Sequence, residues 1–166
     1  EARMFKYLSC FLLIFSSAIN LLAEQVNEES IEVRFVTTYG TIDIALQHDK
    51  APITIDNFLK YVDAGHYDNG NFKRTVRYDN DNGDPKIEVI QGGARTDINR
   101  YAAIPLETTK QTGILHTNGV ISMARSEPDT AQDEFFITIG AQPSLDFGGM
   151  RNKDGQGFAA FGIVIR

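Results

Sequence analysis

Between Ile31 and Leu46 the chain alternates. In "IEVRFVTTYGTIDIAL" branched and aromatic residues recur at every second position of two runs, Ile31–Thr37 and Thr41–Leu46, with Tyr39 and Gly40 between them. That period predicts a hairpin with one buried face. The period then changes. In "APITIDNFLKYVDAG" Ile55, Phe58, Leu59 and Val62 form an apolar stripe, Pro52 suits a first turn and Gly65 a stop, so a helix is predicted. Five short apolar runs follow, Phe72–Arg77, Glu88–Gln91, Val120–Ala124, Phe135–Ile139 and Phe158–Ile165, separated by Gly, Asn, Asp and Pro turns. No helices alternate with them. The order favours a closed antiparallel barrel or sandwich over a parallel sheet.

Composition adds two exclusions. With 42% apolar and 23% charged residues over 166 positions, the chain has the makings of one globular domain, not a disordered segment. The formal net charge is -6 and no Lys/Arg-rich stripe is present, which argues against a nucleic-acid interface. The first 23 residues stand apart. Arg3 and Lys6 precede "YLSCFLLIFSSAINLLA", and the composition turns acidic at Glu24. This pattern reads as a secretory signal with cleavage after Ala23, leaving a domain over 24–166, exported to the periplasm or secreted. A membrane anchor is the alternative, but the run is short for a bilayer span. The one cysteine, Cys10, falls inside it, so the mature domain is expected to lack disulfides and thiol chemistry.

Familiar chemistries are mostly absent. His48, His66 and His116 are isolated and are expected at surface or turn positions; no H-E-x-x-H or cysteine pair points to a metal. "DNDNGDP" resembles a calcium loop, yet with Gly83 as its sixth residue the first and last ligands would be Tyr78 and Val89, so a solvated acidic loop is expected. "IQGGAR" lacks the spacing of a phosphate loop, and no serine sits in a G-x-S-x-G elbow. What remains is a set of apolar strands with single polar groups, Arg74 and Gln91 among them. Phe135 and Phe136 are adjacent in one strand and must point to opposite faces.

Taken together these segments resemble a cyclophilin-type peptidyl-prolyl cis-trans isomerase. "GTIDIAL", "APITIDNFLKYVDAGHYDN" and "NFKRTV" are similar to the family's early strands, first helix and arginine-bearing strand. "VIQGGA", "GVISMAR", "EFFITIG", "SLDF" and "FAAFG" are similar to its later ones. The resemblance runs from about Val33 to Gly162 and implies a mainly β fold, a closed eight-stranded antiparallel barrel with capping helices. It also implies that the C-terminal helix and last strand are lacking, since the chain stops at "GIVIR".

The resemblance further implies isomerisation of X-Pro bonds during protein folding, with proline-containing polypeptides as partners and no cofactor. It places the catalytic arginine at Arg74, with Gln91 and Phe136 beside it. Val89, Ala124 and Leu145 fall on the family's pocket positions. Arg125 falls where an asparagine backbone usually holds the peptide, and Glu88 and Phe158 stand at an altered rim. Ser144 replaces the usual aromatic before "LD". These departures carry the alternative, a proline-peptide-binding or chaperone module with little turnover.

Overall fold

The computed structural model describes residues 31–166, in which the alternating segments become seven strands. The hairpin β1 (Ile31–Thr37) and β2 (Gly40–Leu46) pairs in a continuous register from Ile31 opposite Leu46 to Thr37 opposite Gly40. Next come α1 (Pro52–Asp63), β3 (Asn71–Val76), β4 (Val89–Gly93), the single-turn α2 (Thr109–Thr112), β5 (Val120–Met123), β6 (Phe135–Thr138), a 3-10 turn over Pro143–Leu145, and β7 (Ala159–Val164). No helix among the described residues is long and apolar enough to cross a membrane. The expected signal segment, 1–23, lies outside them.

Every ladder is antiparallel, and the strand order is β1-β2-β7-β5-β6-β4-β3. This corrects the expectation of a closed eight-stranded barrel with capping helices. The sheet is an open, curled half-barrel whose edges, β1 and β3, stand 9 Å apart. Hydrogen-bonded strands lie about 4.8 Å apart, so no ladder can join these two. Side chains bridge the seam instead: the ring of Phe35 on β1 lies 6.5 Å from that of Phe72 on β3 and 5.2 Å from that of Phe135 on β6.

Helix α1 plugs the concave side with Ile55, Phe58 and Tyr61, all fully buried. Its first turn has no side-chain cap of its own. Glu107, distant in sequence, supplies the acceptors: its carboxylate takes the N–H groups of Ile53 and Thr54 at 3.2 and 2.7 Å, and the Thr54 hydroxyl at 2.6 Å. An anion at this end also complements the helix dipole. Phe58 then contacts Phe161 on β7 and Phe135 on β6, which ties the helix to the middle of the sheet.

Candidate active site

The sheet's convex face carries the polar groups, and one irregularity in β3 determines which ones. Phe72 pairs with Gly92 and Arg74 pairs with Gln91, so two residues separated by Lys73 oppose consecutive partners. This bulge puts Phe72 and Arg74 on opposite faces, where a regular strand would put them on the same one. Phe72 packs over Gly92 against Phe135, and a Cβ on Gly92 would come within 3.2 and 3.3 Å of the two rings. Arg74 joins a different row. Gln91 pairs with Phe136 on β6, and Phe136 with Ser122 on β5, so Arg74, Gln91, Phe136 and Ser122 run side by side across four strands.

Arg74 is exposed and makes no ion pair among the described residues. Gln91 does not hold it: the amide nitrogen of Gln91 donates to Glu134 Oε2 at 2.8 Å. The other oxygen of Glu134 pairs with Lys73, the extra residue of the bulge. Glu134 was not among the residues expected here, although it sits in the same "DEFF" run as Phe136.

Beside the row lies a small apolar basin, a cluster of buried side chains separate from the main core. Val89, Phe136, Leu145 and Phe158 pack together with Val76 and Ile87, and Ala124 borders them. Phe158 meets Phe136 edge to face, with centroids 5.2 Å apart. Leu145 comes from the 3-10 turn, which also carries Ser144, and its carbonyl accepts the Phe158 N–H at 3.0 Å. That approach requires a glycine at 157: φ is +67°, and a Cβ there would meet the Leu145 carbonyl oxygen at 2.5 Å. Glu88 is half-buried at the entry to β4, and its carbonyl accepts the Ile139 N–H at 2.9 Å.

Arg125 supports the basin from behind. Its side chain is fully buried, so only its backbone is available on the outside. The guanidinium holds both oxygens of Asp154 at 2.8 and 2.9 Å and donates twice to the Gly157 carbonyl, at 2.8 and 2.6 Å. It lies 5.3 Å from the Phe158 ring centre. The hydrogen bonds from Arg125 keep the Asp154 carboxyl below its ordinary range.

Two expectations are corrected here. The "DNDNGDP" loop is not simply solvated, because Asp81 is buried. Its carboxylate accepts the N–H groups of Gly83 and Ile87, both at 2.9 Å, and pairs with both terminal nitrogens of Arg151 at 2.8 and 2.9 Å. Arg151 also donates to the Pro85 carbonyl. Burial alone would raise the Asp81 carboxyl; the Arg151 and backbone hydrogen bonds together outweigh it and bring it to about 2. His116 is the second correction. It is 1% exposed, not a surface residue, and its ring stacks on Phe136. His48 is exposed and His66 half-buried.

The model of the family described as cyclophilin type peptidyl-prolyl cis-trans isomerase/CLD matches residues 32–166. Peptidyl-prolyl cis-trans isomerase A of Dickeya dadantii is 34% identical over 139 residues, covering 82% of this chain and 67% of the relative. Peptidyl-prolyl cis-trans isomerase B of Escherichia coli is 34% identical over 136 residues, covering 80% and 77%. The chain spans about two thirds of the length of the Dickeya protein and of an Acinetobacter baylyi relative. Among solved structures, a Cryptosporidium parvum cyclophilin-type isomerase crystallised in the presence of the dipeptide Ala-Pro superposes with a TM-score of 0.64 at 24% identity, over 82% of this chain and 79% of that one. Cyclophilin AquaCyp293 of Hirschia baltica superposes with a TM-score of 0.59 at 18% identity, over 81% and 64%.

Proposed function

The chain belongs to the cyclophilin-type peptidyl-prolyl cis-trans isomerase family, and we propose that it accelerates rotation about X-Pro bonds in exported polypeptides, with Arg74 as the group acting on the rotating bond. The observation that carries this reading is the row Arg74–Gln91–Phe136, which sets a guanidinium with no ion pair among the described residues beside an apolar basin on one face of the sheet. Rotation crosses a barrier of about 18–20 kcal/mol because amide conjugation must be broken. No covalent intermediate is needed. Phe136 and Phe158, with Val89 and with Ala124 at the border, take the proline ring, and the fully buried Leu145 backs them from beneath. Arg74 donates to the substrate and favours the twisted state, in which the proline nitrogen lone pair is no longer shared with the carbonyl.

Rate is gained only from contacts stronger in that twisted state than in the ground state. An exposed arginine suits the role because it stays charged and presents a rigid fork of donors. The backbone at Arg125 and the amide of Gln91 position the peptide, and Glu88 at the rim disfavours acidic ones. Export rests on the sequence of residues 1–23.

A second reading has one observation behind it: Gln91 is turned to Glu134 and not toward Arg74. A site held that way would bind proline peptides and turn them over slowly. Exchange NMR of short X-Pro peptides separates the two. Fast cis-trans exchange with the wild type and slow exchange with Arg74→Ala supports the isomerase. Peptide shifts on binding without faster exchange favour the binding module.

A further inference from the structure

His116 forms the back of the basin. Its backbone N–H and its ring Nδ1 both meet Asp146 Oδ1, at 3.0 and 2.7 Å, and its Nε2 meets Ser122 Oγ at 3.0 Å. The ring lies nearly parallel to that of Phe136, 19° off, with centroids 5.9 Å apart. An ionised carboxylate can only accept, so Nδ1 carries the hydrogen; in the neutral ring Nε2 then accepts from the Ser122 hydroxyl. The order Asp–His–Ser and the two distances are those of a nucleophilic triad. Acyl transfer is nevertheless closed to it, because Ser122 has no exposed surface and a substrate carbonyl cannot reach Oγ.

The same chain of hydrogen bonds fixes a plane. Asp146 directly follows Leu145 of the basin, and Ser122 pairs directly with Phe136 across the β5–β6 ladder. The relay therefore ties the neighbours of two basin residues to one imidazole, and the face of that imidazole is the surface on which Phe136 rests. The opposite constraint on Phe136 comes from the edge contact with Phe158. We propose that His116 is a positioning residue: Asp146 and Ser122 lock its ring as a back plate that sets the plane of the Phe136 ring against which substrate proline packs. The proposal rests on the reading that the basin takes the proline ring. A pre-set ring spares the ordering cost that a mobile one would pay on binding.

The test compares the full chain with Ser122→Ala, which deletes only the hydroxyl, and His116→Leu, which deletes the plate. Aromatic carbon relaxation reads the flipping of Phe136, proton NMR reads the His116 Nδ1–H, and exchange NMR of an X-Pro peptide gives KM and kcat. Expected are a downfield, slowly exchanging Nδ1–H in the wild type, faster Phe136 flips in both variants, and a KM raised about threefold in Ser122→Ala and about tenfold in His116→Leu with a smaller change in kcat. Unchanged flips in a folded variant overturn the proposal, as do faster flips with an unchanged KM. If His116→Leu does not fold, Ser122→Ala decides alone. If the wild type neither binds nor isomerises the peptide, the proline reading of the basin falls, and the flip rates still decide whether the relay holds Phe136.

Discussion

Arg74 stands directly opposite Gln91 across the β3–β4 ladder, yet the Gln91 amide nitrogen is donated to Glu134, 2.8 Å away. The pairing exists because Lys73 bulges out of the ladder, and Lys73 in turn pairs with the same Glu134. One carboxylate thus holds the extra residue of the bulge and the neighbour of the arginine, while the arginine itself is left to the solvent. A group that anchors nothing among the described residues is free to serve a substrate.

Arg74 is exposed, so its replacement should leave the fold within about 0.5 kcal/mol of wild type. Arg74→Ala should lower kcat/KM by about a hundredfold, the scale of losing one donor aimed at a transition state. Arg74→Lys should recover only part of this, because a point charge lacks the fork. Exchange kinetics at matched urea stability measure both. An Arg74→Lys variant as fast as wild type would show that charge alone suffices.

The hairpin was legible because β1 keeps a strict alternation of half-buried and exposed positions from Ile31 to Thr37; the later segments were legible as short apolar runs between turn residues, and β3 to β7 shifted only at their ends. The bulge was not legible, since "NFKRTV" reads as a regular strand and would put Phe72 and Arg74 on one face. Closure was not legible either. Whether β1 meets β3 depends on pairing between chain segments far apart, and no local period reports it. The burial of His116 and Asp81 is not legible for a shared reason: a lone polar residue has no periodicity, and its burial depends on partners, Ser122, Asp146 and Arg151, that only the fold brings near. Phe136, Val89, Leu145 and Phe158 come together as one cluster, and Glu134 beside them carried no expectation.

Asp81 makes stability depend on acid. Its carboxyl is held at about 2 against an ordinary 3.8, so its pairing with Arg151 contributes fully above about pH 4 and is lost as pH falls from there toward 2. Urea titrations at several pH values should show wild-type stability dropping through that window. Asp81→Asn should be less stable at pH 7 by about 3 kcal/mol, as expected for leaving Arg151 buried without its partner, and should lose less on acidification. Parallel acid profiles for the two proteins would count against the pair.

Arg125 supports Phe158 without touching the outside of the basin. Arg125→Ala leaves the Gly157 carbonyl without its donor and Asp154 without its cation, keeping only the Gln156 N–H at 2.7 Å, and should cost about 2–3 kcal/mol. Its second effect is specific: with the Asp154–Gly157 loop loosened, Phe158 no longer closes on Phe136, and the Kd for an X-Pro peptide should rise several-fold. Peptide titration by NMR, at a temperature where the variant is fully folded, reads this. A destabilised variant with unchanged peptide affinity would separate Arg125 from the basin.

The open seam supplies the last prediction. Among the described residues strand β1 is hydrogen-bonded on one side only, to β2, and across the 9 Å gap its hold on the rest of the sheet is aromatic. Phe35 touches Phe58, Phe72 and Phe135 at centroid distances of 6.2, 6.5 and 5.2 Å. Phe35→Ala should therefore cost about 3 kcal/mol, the lower end for a large-to-small aromatic change because the ring is only half-buried. The loss should be local before it is global. Amides of Ile31–Thr37 should exchange much faster in the variant, while those of β5 and β6, paired on both sides, should fall only in step with total stability. Uniform loss of protection across all strands would mean that the seam and the sheet unfold as one unit, with the aromatic bridge no weaker than the ladders it joins.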